Sequence, residues 1–381
     1  MKKKNIIGWV IGIAVVGILI IVSLAKQNKQ PETIKIGAIL LLSGENALWG
    51  ENAQKAINLL VEETNLRGGI NGKKVKILYE DSKGDPKIAV AAFNKLTNIE
   101  HVPAILGDML SVTTLAMSPS ANKSKVVLMG ISCSAPSITE AGPFVYRVWP
   151  SDLYEGKVFA EWVYKKGFKD IAIVYINNDY GNGLKEAFSK RFIELGGRIT
   201  IAEGYTSAQQ DFRPIIIKLK QSKPQGVYIV GYYEDTAQFI KEAKQQGLSS
   251  QLFGTSSSVH SKLFDIAGQA SEGFIVAMVN DFDVNNLTPK QKEFLEKYRN
   301  LYKQDPDWAA THAADAFLVI KQCLEKGCKT GEEIKRCIDN QRTFDGINIG
   351  VTFDDNGDVI NKPIVIKKVE NGRFIDIETI K

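Results

Sequence analysis

Ile105-Leu-Gly-Asp-Met-Leu-Ser-Val-Thr-Thr114 is the stretch whose reading decides the fold. Pro103 to Leu106 is a short apolar strand, Gly107 breaks it, and Ser111, Thr113 and Thr114 stand where a helix should begin. A helix start leaves its first N–H groups unpaired and partly positive, so hydroxyls beside it either cap the helix or help to hold an anion. In a parallel sheet such a strand-to-helix turn lies at the carboxyl edge, where ligands bind.

The same alternation extends in both directions. Upstream, Ile34 to Leu42 is a strand, and the helix opening at Trp49 carries Ala53, Ala56, Ile57, Leu60 and Val61 at helical spacing. Val75 to Tyr79 is a strand, and Pro86 starts a helix to about Ile99. Downstream, the strand Val126 to Met129 ends in the hydroxyl-rich loop Gly130-Ile-Ser-Cys-Ser-Ala-Pro136. After Pro150 the pattern restarts with a helix capped by Ser151 or Asp152 and a strand from Ile171 to Ile176. Asp179-Tyr-Gly-Asn-Gly183 reads as a turn before the next helix, and Asp211 as a helix cap. Strands follow at Ile199 to Tyr205, Gly226 to Val230 and Gly273 to Val279. Two successive stretches of this kind predict an α/β fold with two doubly wound, Rossmann-like lobes and mainly parallel sheets. The last hundred residues differ: helices at Pro289 to Tyr302, Ala309 to Lys326 and Glu332 to Asn340 precede strands near Ile349, Ile364 and Phe374.

A chain of 381 residues accommodates two or three domains of roughly 150 residues each. Its net charge is +5, but Lys2, Lys3 and Lys4 lie in an acid-free leader, leaving +2 for the remainder. That is too little for a nucleic-acid binder, and no basic stripe is interleaved with aromatics. Residues 1–25 read as a signal peptide or membrane anchor: the three lysines precede an apolar run from Ile6 to Ala25. The run is long enough to span a bilayer, and Ser23-Leu24-Ala25 also offers a cleavage site, so both readings stand. Either one places the rest of the chain outside the cytoplasm, after a polar linker at 26–33. Cys328 and Cys337, across a helix–helix turn, are the expected disulfide, with Cys323 the alternative to Cys328. No metal site is expected from the spacing of the cysteines and of His101, His260 and His312. Dinucleotide, phosphate-loop, zinc-protease and nucleophile-elbow motifs are all absent, which argues against an enzyme and against a cofactor.

Ile36-Gly-Ala-Ile-Leu-Leu-Leu-Ser-Gly44 with Trp49-Gly50, Arg67-Gly-Gly-Ile-Asn-Gly72, Asp85-Pro86, Asp179-Tyr-Gly-Asn-Gly183, Asp211-Phe212 and Phe353-Asp-Asp-Asn-Gly-Asp358 occur in a familiar order. In these the chain, over roughly 33–381, resembles the periplasmic substrate-binding proteins of branched-chain amino acid ABC transporters, which have the type I periplasmic binding fold. The resemblance implies two lobes joined by a three-crossover hinge and closing on a small ligand. Lobe 1 would hold 34–148 plus 282–350, lobe 2 would hold 149–281 plus 351–381, and the crossings would fall near Val148, Asp281 and Gly350. It also implies an ABC transporter permease as partner.

The resemblance carries over to single positions. Trp49 matches an aromatic that packs on the ligand. Ser111, Thr114, Ser132 and Ser134 match hydroxyls around the ligand carboxylate. Tyr180 and Tyr232 match tyrosines that close over the ligand, and Trp308 matches an aromatic wall. Where amino acid binders of this type place an acid for the ligand ammonium, this chain has Ser256. A neutral serine cannot pair a buried ammonium. Either Asp108, Glu234 or Asp281 takes that role, or the ligand lacks an ammonium and is a deaminated or aromatic carboxylate, an amide or urea. An anchored sensory ectodomain of the same fold is the alternative to transport.

Overall fold

The computed structural model describes residues 33–206, 211–279, 287–348 and 350–380. The N-terminal apolar segment, most of the linker after it and Asp281 lie outside the described residues. The first sheet contains β1 (Thr33–Leu40), β2 (Lys74–Asp81), β3 (Ala104–Leu106), β4 (Val127–Gly130) and β5 (Val145–Arg147), all parallel, in the order β2-β1-β3-β4-β5. Its inner strands β3 and β4 are buried throughout, which is why they read as unbroken apolar runs without alternation.

The second sheet has a parallel part, β6 (Asp170–Ile176), β7 (Arg198–Tyr205), β8 (Gly226–Val230), β9 (Gln251–Gly254) and β10 (Ile275–Val279). Three short antiparallel strands, β11 (Thr343–Phe344), β12 (Val351–Phe353) and β13 (Val359–Ile360), form a separate small sheet. The last strands, β14 (Ile364–Glu370) and β15 (Arg373–Ile380), return to the second sheet as an antiparallel hairpin beside β10. Asn371 and Gly372 turn that hairpin with φ of 54° and 68°, the left-handed geometry a two-residue hairpin turn requires.

The C-terminal helices complete the first half of the molecule. Trp308–Glu325 packs along Ala47–Leu66 and is buried over most of its length. Its Asp315 accepts hydrogen bonds from Ile347 N–H (2.5 Å), Asn348 N–H (3.3 Å) and Asn348 Nδ2 (2.9 Å), fixing the loop before β12. The return to the second sheet comes later than the expected crossing at Gly350. Phe353 packs on Tyr146 of β5, and the buried Arg147 holds Asp358 through Nε–Oδ1 and Nη2–Oδ2, both 2.7 Å. These contacts keep the chain beside the first sheet to about Ile360, so the placement of residues 351–360 with the second unit is corrected.

Two local expectations also change. Asp179 to Gly183 is the first turn of the helix Asp179–Glu194, capped by Asn178, which accepts the Gly181 N–H at 2.9 Å. Its glycine serves close packing: a Cβ on Gly181 would lie 1.8 Å from the Ile176 carbonyl oxygen. The expected disulfide is absent, and all four cysteines are free thiols. Cys323 and Cys328 both approach Cys337, competing for one partner, and Cys328 Sγ donates to the Glu333 carbonyl at 3.5 Å.

Candidate functional site

The residues that follow the strand ends of the two sheets meet around a small void of about 20 Å³. Trp49 comes after β1, Met109 to Ser111 after β3, Ser132 and Ser134 after β4, and Trp149, Asp152 and Glu155 after β5. From the second sheet come Tyr180 after β6, Tyr232 after β8, and Ser256 and Ser257 after β9, while Trp308 starts its own helix. This is the carboxyl-edge arrangement of a ligand site in parallel sheets.

Gly107 makes the turn after β3 possible. Its φ is +121°, and a Cβ there would fall 1.9 Å from the Ile39 carbonyl oxygen. The helix that follows, Ser111–Ser124, has Leu110 at its cap position and no side-chain cap. Ser111 is therefore not a cap. Its Oγ accepts the N–H groups of Ser134 and Ala135, both at 3.1 Å, and so joins the loops after β3 and β4. With its lone pairs engaged, its hydroxyl hydrogen remains to be donated. Ser132 Oγ donates to the Met109 carbonyl (2.8 Å) and Ser134 Oγ to Asp152 Oδ2 (3.0 Å).

Thr114 does not line the void. It is buried and donates back to the Leu110 carbonyl at 2.9 Å, a helical i−4 bond. Asp108 is buried away from the void, where it accepts the Met109 N–H at 2.5 Å, and burial pushes its pKa up to about 6. Glu234 also lies off the void, accepting the Tyr233 hydroxyl at 3.1 Å. Neither of these two acids reaches the place assigned to the ligand ammonium.

Two other acids, from another element, stand beside Ser256. Asp152 and Glu155 are three residues apart in the first turn of the helix Asp152–Lys165, so they share a face, and the helix N-terminus favours their negative charge. Glu155 Oε2 accepts the Ser256 hydroxyl at 2.9 Å and Oε1 accepts the Ser256 N–H at 3.3 Å. Asp152 is 1% and Glu155 3% exposed, which is rare for acids without a cationic partner. Burial raises both pKa values, that of Glu155 to about 7, and for Asp152 the neighbouring Glu155 charge adds to the effect. Among the described residues no Lys, Arg or His lines the void. The nearby Arg147 is committed to Asp358, and its charge only partly offsets the rise at Asp152.

The remaining walls are aromatic and pinned. Tyr180 and Tyr232 stack at 5.6 Å and 10°. Tyr180 OH donates to Thr255 Oγ1 (2.9 Å), and Tyr232 OH accepts from Asn178 Nδ2 (3.1 Å). Trp49 meets Tyr232 edge-on at 5.5 Å and Trp308 at 5.1 Å, and its indole N–H has no acceptor among the described residues. Trp308 packs on Trp149 at 5.2 Å and donates its N–H to the Val259 carbonyl at 3.3 Å, bridging the two halves.

Eight of the expected residues thus come together: Trp49, Ser111, Ser132, Ser134, Tyr180, Tyr232, Ser256 and Trp308. Met109, Leu110, Trp149, Asp152, Glu155 and Ser257 were missed. The available signal was the pair of acids three residues apart directly after Trp149-Pro150, which reads as helix capping when considered alone.

Comparison with known proteins agrees with this architecture. The chain is 28% identical over 345 residues to a leucine-, isoleucine-, valine-, threonine- and alanine-binding protein of Pseudomonas aeruginosa, covering 90% of this chain and 91% of that one. A leucine-binding protein structure from Thermotoga maritima superposes with a TM-score of 0.85 at 28% identity, covering 91% of this chain and 98% of the other. The isoleucine complex of a branched-chain amino acid transporter substrate-binding protein from Streptococcus pneumoniae also gives 0.85, at 25% identity, covering 92% and 99%. A family model described as periplasmic binding protein matches residues 33–373, and with two mainly parallel sheets around a buried aromatic and acidic site, the chain belongs to that family.

Proposed function

We propose that the protein is an extracytoplasmic solute-binding protein that captures an α-amino acid between its two sheets and delivers it to the permease of an ABC transporter. The observation that carries this reading is Glu155, whose carboxylate occupies the position that Ser256 leaves without an acid. Together with Asp152 it offers an ammonium group the charge-assisted hydrogen bonds that a buried cation needs. The donors left for a carboxylate include the Ser111 hydroxyl hydrogen and the Trp49 N–H. The other hypotheses suit these residues less: a deaminated acid or urea would leave two buried carboxylates without a cation.

In this reading the protein binds and does no chemistry. The lobes are the two sheets with their helices, moving about crossings near Val148, Asp281 and the segment 361–363. Residues 1–25 export the chain or anchor it to the membrane. Calorimetric titration with L-amino acids and with their deaminated acids tests the proposal. Binding of amino acids alone is expected, whereas binding of deaminated acids alone would overturn it.

A further inference from the structure

The loop after β4 and the helix after β6 come from different sheets and meet just outside the void. Ser132 and Ser134 line the void from the loop, and Tyr180 lines it from the helix. Two residues beyond Ser134 and three beyond Tyr180, Pro136 and Gly183 touch, and neither of them lines the void. Pro136 opens the short helical turn Pro136–Glu140, which packs on the helix Asp179–Glu194.

A Cβ on Gly183 would stand 2.4 Å from Pro136 Cδ, 3.2 Å from its Cγ and 3.6 Å from its nitrogen. Carbon atoms pack at about 3.5–4.0 Å, so a side chain here needs roughly 1 Å more room. Neither partner gives that room alone. The proline ring is closed onto its own backbone and cannot swing away. The residue before it is held from two sides: the Ala135 N–H is donated to Ser111 Oγ at 3.1 Å, and the Ala135 carbonyl accepts from the buried Arg147 Nη1 at 2.8 Å. The helix start is held as firmly. Asn178 accepts the Gly181 N–H, the Tyr180 hydroxyl donates to Thr255, and Gly181 lies against the Ile176 carbonyl. Close-packed, hydrogen-bonded elements move as units, so the room must come from parting the two halves.

We propose that Gly183 and Pro136 form the seat on which the two halves close, and that the absent side chain at Gly183 sets how far closure goes. This rests on the reading above of two halves that close on a ligand, and adds the contact that ends the movement. Gly183 acts as a positioning residue: it brings Tyr180 to the loop that carries Ser132 and Ser134.

The test is calorimetric titration of the full-length protein with L-alanine, L-valine, L-isoleucine and L-leucine, with small-angle X-ray scattering of the empty and saturated forms. Alanine is a better helix former than glycine, so Gly183→Ala does not weaken its own helix. This variant should bind whichever of these amino acids the unaltered protein takes roughly tenfold or more weakly, and its saturated form should be more extended. Pro136→Ala removes Cδ and Cγ and leaves the nitrogen at ordinary contact distance. The double variant of Gly183→Ala and Pro136→Ala should therefore recover most of the lost affinity and compactness, whereas two unrelated defects would add. Unchanged affinity in Gly183→Ala, a double variant no better than Gly183→Ala, or failure of Gly183→Ala to fold would overturn the proposal and leave the amino acid reading intact. Binding of none of the four would overturn the amino acid reading. The proposal then stands or falls on the empty proteins, where Gly183→Ala should be more extended than the unaltered chain and the double variant should not.

Discussion

The proposed recognition of an amino acid depends on Glu155, which lines the void beside Ser256. It is buried, its hydrogen-bond partner among the described residues is a neutral serine, and its pKa is pushed up to about 7 by that burial. In the empty protein the neutral form is favoured below about pH 7. Since the folded pKa lies above the ordinary 4.5, the stability this group contributes is complete below about pH 4.5 and is lost as the pH rises through about 7. The loss is on the order of 3 kcal/mol, and chemical denaturation of the ligand-free protein at pH 5 and pH 8 should reveal it. Glu155→Gln should flatten that dependence. Ligand binding runs the other way, because an ammonium pairs with the ionised form. Amino acid affinity should rise roughly tenfold per pH unit up to about 7, with proton release visible in buffers of different ionisation enthalpy. Glu155→Gln should weaken binding by about 3 kcal/mol and reduce the proton release to the part that Asp152 contributes. Ser111→Ala should weaken a carboxylate-bearing ligand by about 1–3 kcal/mol in the same titration, since it removes a donor and unties Ser134 and Ala135.

Helix Trp308–Glu325 serves both the site and the fold. Its first residue is a wall of the site, and seven residues on, Asp315 fixes the loop that leads to β12. Asp315→Ala would leave the buried N–H of Ile347 and the Asn348 amide without acceptors. A destabilisation of about 2–4 kcal/mol is expected by thermal melting, with a smaller effect on which amino acid is preferred. The helices and parallel strands were legible from the sequence because apolar spacing and buried runs report them directly. The tight turns were less so: Asp179 to Gly183 has the composition of a turn, but its glycines are required by contacts with Ile176 and Pro136 that lie outside the segment.

At the level of the whole molecule, the two sheets enclose the site and leave almost no room in it, so a ligand must be bound and released through relative movement of the halves. A ligand that binds the folded form alone, at 100 times its dissociation constant, stabilises it by about 2.7 kcal/mol. A thermal shift with an L-amino acid, and none with its deaminated acid, is the expected outcome of a melting screen.

The sequence by itself determined the α/β class, the two successive runs of alternating strands and helices, and most of the residues around the cleft. These follow from local periodicity and from residues placed just after strand ends. Only the tertiary structure decided which acids face the void. Asp152 and Glu155 look like ordinary helix-start acids along the chain, and it is the approach of Ser256, a hundred and one residues away, that buries Glu155 in the cleft. The turning inward of Thr114, the separation of Asp108 and Glu234 from the void, and the late return of the chain after Ile360 were decided in the same way. Each depends on the direction a side chain or strand takes relative to distant neighbours, and that direction is set by packing.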